Sequence, residues 1–416
     1  MTNTSDNIFI KTSPNGTVQT YVNAKLHSIN GEPSKHRKIM GEYSWHKEGK
    51  LHREEDQPAV IRDYEYEVRF KNEKVTLEEK EWYLKGKRHR DGDKPAMIIK
   101  KTVVYLDHTK IEIEKRWYIK GKNMRLGDKP AIVRTNKIFN NETNFLTSET
   151  HDFCYIHKGE VHRDGDKPAV IVTSKKWDDN HKLIQEDFTK KWYLNNKYHR
   201  EGDKPAILME LVTYKSEKRI LTYLSKWYYK AGLLHRENDK PAVKETRYHS
   251  NGTTHKTIVK FYKDNLLHRE RDKPAVIFFE YEKDGNTILC SSEKYYIEDF
   301  LHREGDKPAY ISDFEGDKVT AYLKNGELDR EANPAIFAHY ENEFYFQFYK
   351  QGEIVKPGDQ SYIANELLKY DSSLDIDLLK SFPGTQLLSL LNALSLPTVY
   401  SMEVPVTYIN DIKNGF

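Results

Sequence analysis

A string of residues that could perform acid–base chemistry, His-Arg-x-x-Asp, occurs seven times in this 416-residue chain. A histidine beside an aspartate can act as a general base, and histidines are also common metal ligands. The copies begin at His52, His89, His162, His199, His235, His268 and His302. An enzyme needs one converged site, so seven copies at seven places along the chain argue against catalysis.

Two specific chemistries can be weighed against this pattern. A protein-kinase catalytic loop uses similar residues, but in one copy, with a downstream asparagine and a separate metal-binding aspartate. Metal binding needs ligands close together, whereas successive histidines here are at least 33 residues apart and each adjoins an arginine that disfavours a cation. We therefore predict a protein that is not an enzyme, with no catalytic residue, no cofactor and no metal site.

The string is part of a longer repeat. A Pro-Ala dipeptide recurs at intervals of 33 to 38 residues from Pro58 to Pro308. A full copy contains an aromatic pair, a glycine or asparagine, His-Arg, Gly-Asp-Lys-Pro-Ala and then a run of apolar residues. A degenerate copy ends at Pro33-Ser34 and a shortened one at Pro334-Ala335, as expected for the capping units of a repeat array.

Each part of the repeat has a local structural interpretation. The segment "WYLKGK", which begins at Trp82, is typical of a strand that enters a turn at Gly86. "DGDKP" combines turn-forming residues, and the β-branched run after it begins a new strand. One repeat is predicted to hold two or three antiparallel strands. The fold class is therefore mainly β, an elongated antiparallel β-repeat array built as a β-solenoid or a single twisted meander sheet.

The array is bounded by two regions of different composition. We predict an N-terminal degenerate capping repeat over residues 1–40, a β-repeat array of about nine copies over 41–358, and a small α-helical C-terminal region over 359–416. Leucines at helical spacing make this last region a packed cap or an interaction site. Its candidate interaction residues are Leu387, Leu388, Leu391 and Leu394.

The repeated polar residues are assigned a structural role. The aspartate is expected to cap its turn, while the arginine three residues earlier pairs with it or lies over an aromatic ring of the same or the next repeat. The residues assigned to this structural motif are Trp82, His89, Arg90, Asp93, Pro95, Trp117, Arg125, Asp128, Pro130, Arg163, Asp166, Pro168, Trp192, Arg200, Asp203, Pro205, Arg236, Asp239, Pro241, Arg269, Asp272, Pro274, Arg303, Asp306 and Pro308.

Two neighbouring aromatic residues on a strand point to opposite faces, so one of each pair is expected in the core. The other could be exposed, and a stacking platform for sugar rings or bases stays open as an alternative. The two cysteines, Cys154 and Cys290, occupy different places in their repeats and form no metal or redox spacing, which indicates reduced, buried thiols.

At the aromatic-to-glycine segments, "WYLKG" and "WYIKG", the chain resembles MORN-type repeats (membrane occupation and recognition nexus). It is most similar to variant arrays reading "WYxxGxxHRxxGPA" in uncharacterised phage and giant-virus proteins. The resemblance covers roughly residues 21–352, and it departs from ordinary MORN units in its longer, less glycine-rich repeat. It implies an elongated antiparallel sheet used for protein or lipid-surface contact, and a viral or phage origin.

Composition limits the choice of partner. The 67 basic and 64 acidic residues give a net charge of +3, which argues against a nucleic-acid partner. No signal peptide and no transmembrane segment are visible, so we expect an intracellular protein, in a host cytoplasm or a virion. The sequence favours a non-enzymatic scaffold with a protein partner. The alternative is a module whose exposed tyrosines and lysines contact anionic lipid, polysaccharide or nucleic acid, which leaves peripheral membrane contact open.

Overall fold

The computed structural model describes residues 7–68, 71–330, 335–340, 343–347 and 349–354. This part of the chain is mainly β, as predicted, and a short 3-10 turn spans Lys38–Met40. The helices predicted for residues 359–416, with the four candidate leucines, lie outside the described residues. The chain divides into two compact units, Met1–Leu224 and Ser225–Phe416, each described here by itself.

The first unit contains an antiparallel meander in which each longer strand pairs with the next one along the chain. These strands are Ile8–Thr12, Val18–Val22, Lys35–Arg37, Glu42–Ser44, Val60–Val68, Glu73–Glu81, Met97–Val104, His108–Arg116, Ile132–Asn140, Leu146–Cys154, Val170–Trp177, Leu183–Lys191 and Ile207–Lys215. The next strand, Lys218–Trp227, contains the division between the units.

The second unit repeats this arrangement with shorter strands. They pair in chain order and antiparallel wherever a register is defined. They are Val243–Tyr248, Thr254–Lys260, Val276–Tyr281, Ile288–Lys294, Tyr310–Phe314, Asp317–Ala321, Ile336–Tyr340 and Glu343–Gln347. Of the two predicted architectures, each unit therefore has the meander sheet.

Between successive long hairpins lies a short hairpin of two-residue strands, except that in the first copy Lys25–Leu26 pairs with the end of the long strand Val18–Val22. In the first unit the short strands are Lys25–Leu26, His46–Lys47, Lys50–Leu51, Tyr83–Leu84, Lys87–Arg88, Tyr118–Ile119, Lys122–Asn123, Ile156–His157, Glu160–Val161, Tyr193–Leu194 and Lys197–Tyr198. In the second unit they are Tyr229–Lys230, Leu233–Leu234, Tyr262–Lys263, Leu266–Leu267, Tyr296–Ile297, Phe300–Leu301, Leu323–Lys324, Glu327–Leu328, Tyr349–Lys350 and Glu353–Ile354.

The first aromatic residue of each pair makes the corner between a long strand and a short hairpin. Trp82 follows the strand Glu73–Glu81, and its backbone N–H donates to the carbonyl oxygen of Ala96 at 2.8 Å. The N–H of Ala96 in turn donates to the carbonyl of Arg116 at 2.9 Å. Because the strand ends at this corner, a repeat has four strands, two long and two short, and the prediction of two or three was too low.

The alanine of each Pro-Ala pair lies at the centre of its repeat. Each of these alanines has no exposed surface, which leaves no volume for a larger side chain. They are Ala59, Ala96, Ala131, Ala169, Ala206, Ala242, Ala275, Ala309 and Ala335. The degenerate first copy has Ser34 in this place, 1% exposed, with its hydroxyl donating to the carbonyl of Ser44 at 3.2 Å. A small residue at this position is therefore a packing requirement of the repeat.

Candidate functional site

The His-Arg-x-x-Asp string forms a joint between two successive repeats. The guanidinium of Arg90 lies 3.8 Å above the ring centre of Trp82, in its own repeat. It binds Asp56 of the preceding repeat through Nε at 2.7 Å and Nη2 at 3.1 Å. Lys94 adds a third bond to the same carboxylate at 2.7 Å. Arg90 Nη1 donates to the carbonyl of Pro95 at 3.2 Å, so one side chain binds two repeats together.

The indole of Trp82 completes the joint from below the arginine. Its Nε1–H donates to the backbone carbonyl of Asp56 at 2.9 Å. Trp117 makes the same bond to Asp93 at 3.1 Å. The turns that carry Asp56 and Asp93 are therefore each held by the next repeat through the side chain and also through the backbone.

The joint recurs with nearly constant geometry inside each unit. The Nε to Oδ1 distance is between 2.5 and 2.7 Å in each of these further pairs. In the first unit the pairs are Arg125 with Asp93, Arg163 with Asp128 and Arg200 with Asp166; in the second they are Arg269 with Asp239, Arg303 with Asp272 and Arg330 with Asp306.

The predicted role of the motif needs one correction. The carboxylate was expected to cap its own turn or to bind the arginine of its own string. It binds the arginine and lysine of the following repeat instead, as Asp93 does with Arg125 and Lys129. The arginine of the same string is already bound to the aspartate of the preceding repeat. Antiparallel pairing brings the arginine of the following repeat within reach of the free carboxylate. The other predicted contact, an arginine over the aromatic ring of its own repeat, is present.

The arginine also lies over the ring at Arg236, and at Arg53, which has no ion pair within the described residues. Arg236 lies 3.6 Å above the ring of Tyr228 and donates to the carbonyl of Pro241 at 3.2 Å. Arg53 lies 3.7 Å above Trp45. The ring contact is therefore the most regular part of the joint.

The histidine of the string also connects neighbouring repeats. Nδ1 of His89 accepts the backbone N–H of Lys120 at 3.3 Å, and His302 accepts that of Asn325 at 3.1 Å. Because Nδ1 accepts, the proton of the neutral ring lies on Nε2, which faces Asp91 at 3.0 Å in the first case. Met124, which replaces the histidine in one copy, cannot accept such a bond through a ring nitrogen.

The joints change the acidity of their aspartates. Hydrogen bonds from Arg90 and then Lys94 favour the ionised carboxylate and lower the pKa of Asp56 to about 2. Arg269 and Lys273 likewise lower the pKa of Asp239 to about 2. The pKa is shifted in the same direction, by bonds from the paired arginine first, at Asp93, Asp128, Asp166, Asp272 and Asp306.

Arg200→Ala should lower the free energy of unfolding of the first unit by about 1 to 2 kcal/mol, because it removes a cation–π contact and three hydrogen bonds of a partly exposed joint. Urea denaturation measures the change. Arg53→Ala is the matched control, since Arg53 keeps the ring contact and the bond to Pro58 but has no carboxylate partner in the described part of the chain. Equal losses in both variants would show that the ion pair contributes nothing.

Acid should weaken the joints. Unfolded aspartate titrates near pH ~3.9, whereas Asp56 and Asp239 titrate at about 2 in the folded chain. Their stabilising contribution is therefore complete above the unfolded pKa and is lost as the pH falls through the folded pKa. We expect a Tm that is constant above about pH 5 and falls between about pH 4 and pH 2.

A double variant, Asp93→Asn with Asp128→Asn, tests this assignment. Its Tm should start lower at neutral pH and should then fall less on acidification, because two of the titrating carboxylates are gone. Differential scanning calorimetry from pH 7 to pH 2 gives both curves. An acid-induced decrease of Tm as large as in the parent chain would assign the effect to other carboxylates.

Open grooves lie between successive joints. One has a volume of about 430 Å³ and is lined by residues 162–167 of one repeat and by 192–194 and 199–204 of the next. A similar groove of about 550 Å³ in the second unit involves residues 235–240, 261–263 and 268–271. Within the described residues, no group of three or more His, Cys, Asp or Glu side chains is placed to hold a metal ion. The grooves are shallow features of the joints rather than a separate chemical centre.

One buried polar cluster, around Glu81, does not belong to the repeated motif. Glu81 is 2% exposed, and its carboxylate accepts hydrogen bonds from Arg62 at 3.0 Å, Arg88 at 2.6 Å and the hydroxyl of Tyr83 at 2.8 Å. Burial alone would raise the pKa of Glu81, but the bonds from Tyr83 and Arg88 outweigh it and the pKa lies below its usual value. Both carboxylate oxygens are engaged, so the cluster is built to hold strands together.

The sequence interpretation missed this cluster. The matching strand positions in the following repeats hold Arg116, Cys154 and Lys191, so a lone acid before the aromatic pair was the available signal. This signal does not reveal the residues that bind Glu81, because the contact of Arg62 with Glu81 depends on the strand register.

The second aromatic residue of each pair is less exposed than a stacking platform for a ligand requires. Tyr83, Tyr118 and Tyr193 are half-buried, and the guanidinium of Arg88 lies 5.7 and 5.5 Å from the first two rings.

Cys154 is buried and Cys290 is partly buried, and both are free thiols. Burial raises the pKa of Cys154 to about 11, which keeps it protonated and unreactive.

The hairpin meander and the recurring joints define a β-hairpin repeat protein. No protein-family model matches the sequence, and no curated protein matches it. Among solved structures there is a match to a chain of the Photorhabdus luminescens Tc holotoxin pore, at 10% identity and a TM-score of 0.11, covering 80% of this chain and 18% of that one. This chain thus spans less than a fifth of that protein's length, and the low TM-score carries no argument about fold or function. No helix within the described residues is long and apolar enough to cross a membrane.

Proposed function

We propose that the chain is a non-enzymatic repeat scaffold that mediates protein–protein interaction. The observation that carries this proposal is that the repeated polar residues make contacts between neighbouring repeats. Arg90 and Lys94 both bind Asp56 of the preceding repeat, and Trp82 is covered by the arginine. A motif engaged in this way at regular intervals is suited to build a framework, and the residues that vary between copies are left to recognise a partner.

Other features are consistent with a framework. The sheet hairpins differ in length and composition between copies, while the joints stay nearly constant. The resemblance to MORN-type arrays supports the same role and is retained as part of the proposal, together with a viral or phage origin. We also propose the location expected from the sequence, in a host cytoplasm or a virion.

A reconstitution experiment tests the function. Tagged full-length chain and a version ending at Gly358 are used to capture proteins from the native host, and each captured protein is then purified and mixed with the chain. The proposal expects a complex of fixed stoichiometry in size-exclusion chromatography with light scattering. The truncation assigns the contact to the array or to residues 359–416. If no captured protein forms such a complex, a protein-binding scaffold is the wrong function.

A second function, direct binding of a charged surface, is favoured by one observation. Several exposed lysines of the first unit have no ion pair in the described part of the chain, including Lys50, Lys87 and Lys122. Such lysines could contact anionic lipid, polysaccharide or nucleic acid. The half-buried tyrosines favour this function less, because a stacking platform needs open ring faces. Binding of phosphatidylserine vesicles or oligonucleotides by the purified chain would support this second function.

A further inference from the structure

The short hairpins of the first unit carry a row of basic side chains. We call Lys25, Lys50, Lys87 and Lys122 the lysine ladder. Each is the first residue of the second strand in its short hairpin, and all four are exposed. They come from four successive copies of the repeat. The ladder position therefore lies at the same place in each copy, and only the type of residue at this position can differ between copies.

The lysine ladder has an ordered arrangement because the stems of Lys25, Lys50 and Lys87 each lie on the glycine turn of the next hairpin. A Cβ built on Gly86 would lie 3.6 Å from the Cβ of Lys50, and one built on Gly121 would lie 3.5 Å from that of Lys87. The glycine N–H groups also bond the preceding hairpin, from Gly86 to the carbonyl of Leu51 at 2.8 Å. Glycine at these turns leaves a place for the aliphatic stem, so the ammonium groups project at regular intervals.

The interval follows from the fold. Each repeat adds two long strands to the meander, and neighbouring strands lie ~4.8 Å apart, so successive lysines of the ladder are separated by about 10 Å. Their ammonium groups are not neutralised locally. No ladder lysine has an ion pair within the described residues. The ladder is thus a single row of unpaired positive charges with a fixed period.

The positive charge is specific to this part of the protein. The segments 23–26, 46–51, 83–88 and 118–123 contain eight basic residues and one acidic residue. The basic residues are Lys25, Lys47, Lys50, Lys85, Lys87, Arg88, Lys120 and Lys122, and the acidic residue is Glu48. In the next two copies of the first unit the matching positions hold Glu160 and Lys197, and in the second unit they hold Leu233, Leu266, Phe300, Glu327 and Glu353. The fold of the hairpin does not require lysine there, so another constraint selects it.

We propose that the lysine ladder binds an acidic segment of a protein partner, whose carboxylates repeat at about 10 Å along one face. An α-helix with an acidic residue at every seventh position meets this spacing, because seven residues rise ~10.5 Å. The proposal rests on the proposed scaffold function and names the chemistry of the partner.

Two other classes of ligand fit the ladder less well. Phosphates along one strand of duplex DNA follow at ~3.4 Å, about a third of the ladder's period. Single-stranded nucleic acid requires open aromatic faces, and Tyr83 and Tyr118 are half-buried. A bilayer presents its charge over a plane, whereas the four ladder lysines form one row. A one-dimensional acidic ligand with a long period matches these features best.

Fluorescence anisotropy with a labelled alanine-based helical peptide, carrying glutamate at every seventh position, tests the proposal on the full chain. The triple variant Lys50→Gln, Lys87→Gln, Lys122→Gln should bind about tenfold more weakly or worse at low salt, since three exposed ion pairs are lost. The corresponding triple arginine variant should bind like the parent chain. Added salt should weaken binding because the pairs are exposed to solvent.

The matched control removes the same charge elsewhere. Lys80, Lys115 and Lys190 are also exposed and unpaired in the described part of the chain, but they lie on long strands. Their triple glutamine variant should bind the peptide as the parent does. Equal weakening in both triples would overturn the ladder, as would tighter ladder-dependent binding of phosphatidylserine vesicles or oligonucleotides. Either result leaves the scaffold function to its own reconstitution test.

Discussion

Glu81→Ala should lower the free energy of unfolding of the first unit by about 3 kcal/mol. Glu81 is 2% exposed and its carboxylate joins Arg62 and Arg88, so the variant leaves two guanidinium groups without their shared partner. Loss of one member of a fully buried ion pair costs about 3 to 5 kcal/mol. The lower end applies because both arginines are about a third exposed and can be hydrated once the carboxylate is gone.

The matched control for this variant is Glu78→Ala on the same strand. Glu78 pairs with Lys100 at 2.7 Å, but its side chain is 40% exposed, so removal should cost less than about 1 kcal/mol. Hydrogen exchange of the strands Val60–Val68 and Glu73–Glu81 is the local measurement, because long repeat arrays need not unfold in one step. Equal loss of protection in the two variants would contradict the structural role of the Glu81 cluster.

Ala131→Leu should also destabilise the first unit, by about 3 kcal/mol, the upper end of the usual range for an overpacked core. The side chain of Ala131 is fully buried. Its backbone cannot move away to make room, because its N–H bonds the carbonyl of Cys154 at 2.8 Å and its carbonyl accepts the N–H of Trp117 at 2.9 Å. Thermal denaturation and hydrogen exchange of the adjoining strands measure the effect.

Serine at the same position distinguishes volume from backbone effects. Ser34 occupies the equivalent place in the first copy and bonds the carbonyl of Ser44. Ala131→Ser has a comparable acceptor in the carbonyl of Cys154 and should therefore cost less than about 1 kcal/mol. If serine and leucine were equally destabilising, polarity or local backbone strain would explain the loss better than volume.

The local part of the fold could be predicted from single copies of the repeat. The turn residues around Asp93 and Pro95, the strand that follows them and the buried Trp82 all depend on neighbours in sequence. The turn of the short hairpin at Gly86 was predicted, but the corner at Trp82 that separates this hairpin from the long strand was missed, because it depends on the bond to Ala96, which follows fourteen residues later. Patterns of polar and apolar residues do not reveal where a strand leaves a sheet.

The partners of the polar residues were harder to predict. An arginine has an aspartate three residues away in its own string and another 30 to 35 residues earlier, and composition alone does not distinguish them. Only the pairing of repeats shows that Arg163 binds Asp128. The cluster around Glu81 depends in the same way on register, which places Arg62 opposite Glu79. The lysine ladder could have been read from the sequence once the repeats were aligned by their short hairpins.

The joints give the chain a direction. Within each unit, a repeat with a complete joint offers a carboxylate to the copy that follows and a guanidinium to the copy that precedes it, as Asp93 and Arg90 do in one repeat. Such a head-to-tail contact is complete between any two consecutive copies and does not fix their number. Duplication or excision of one whole repeat by recombination would restore the same bonds at the new boundary. The length of the array is therefore open to evolution by single steps, and each added copy would extend the lysine ladder or interrupt it.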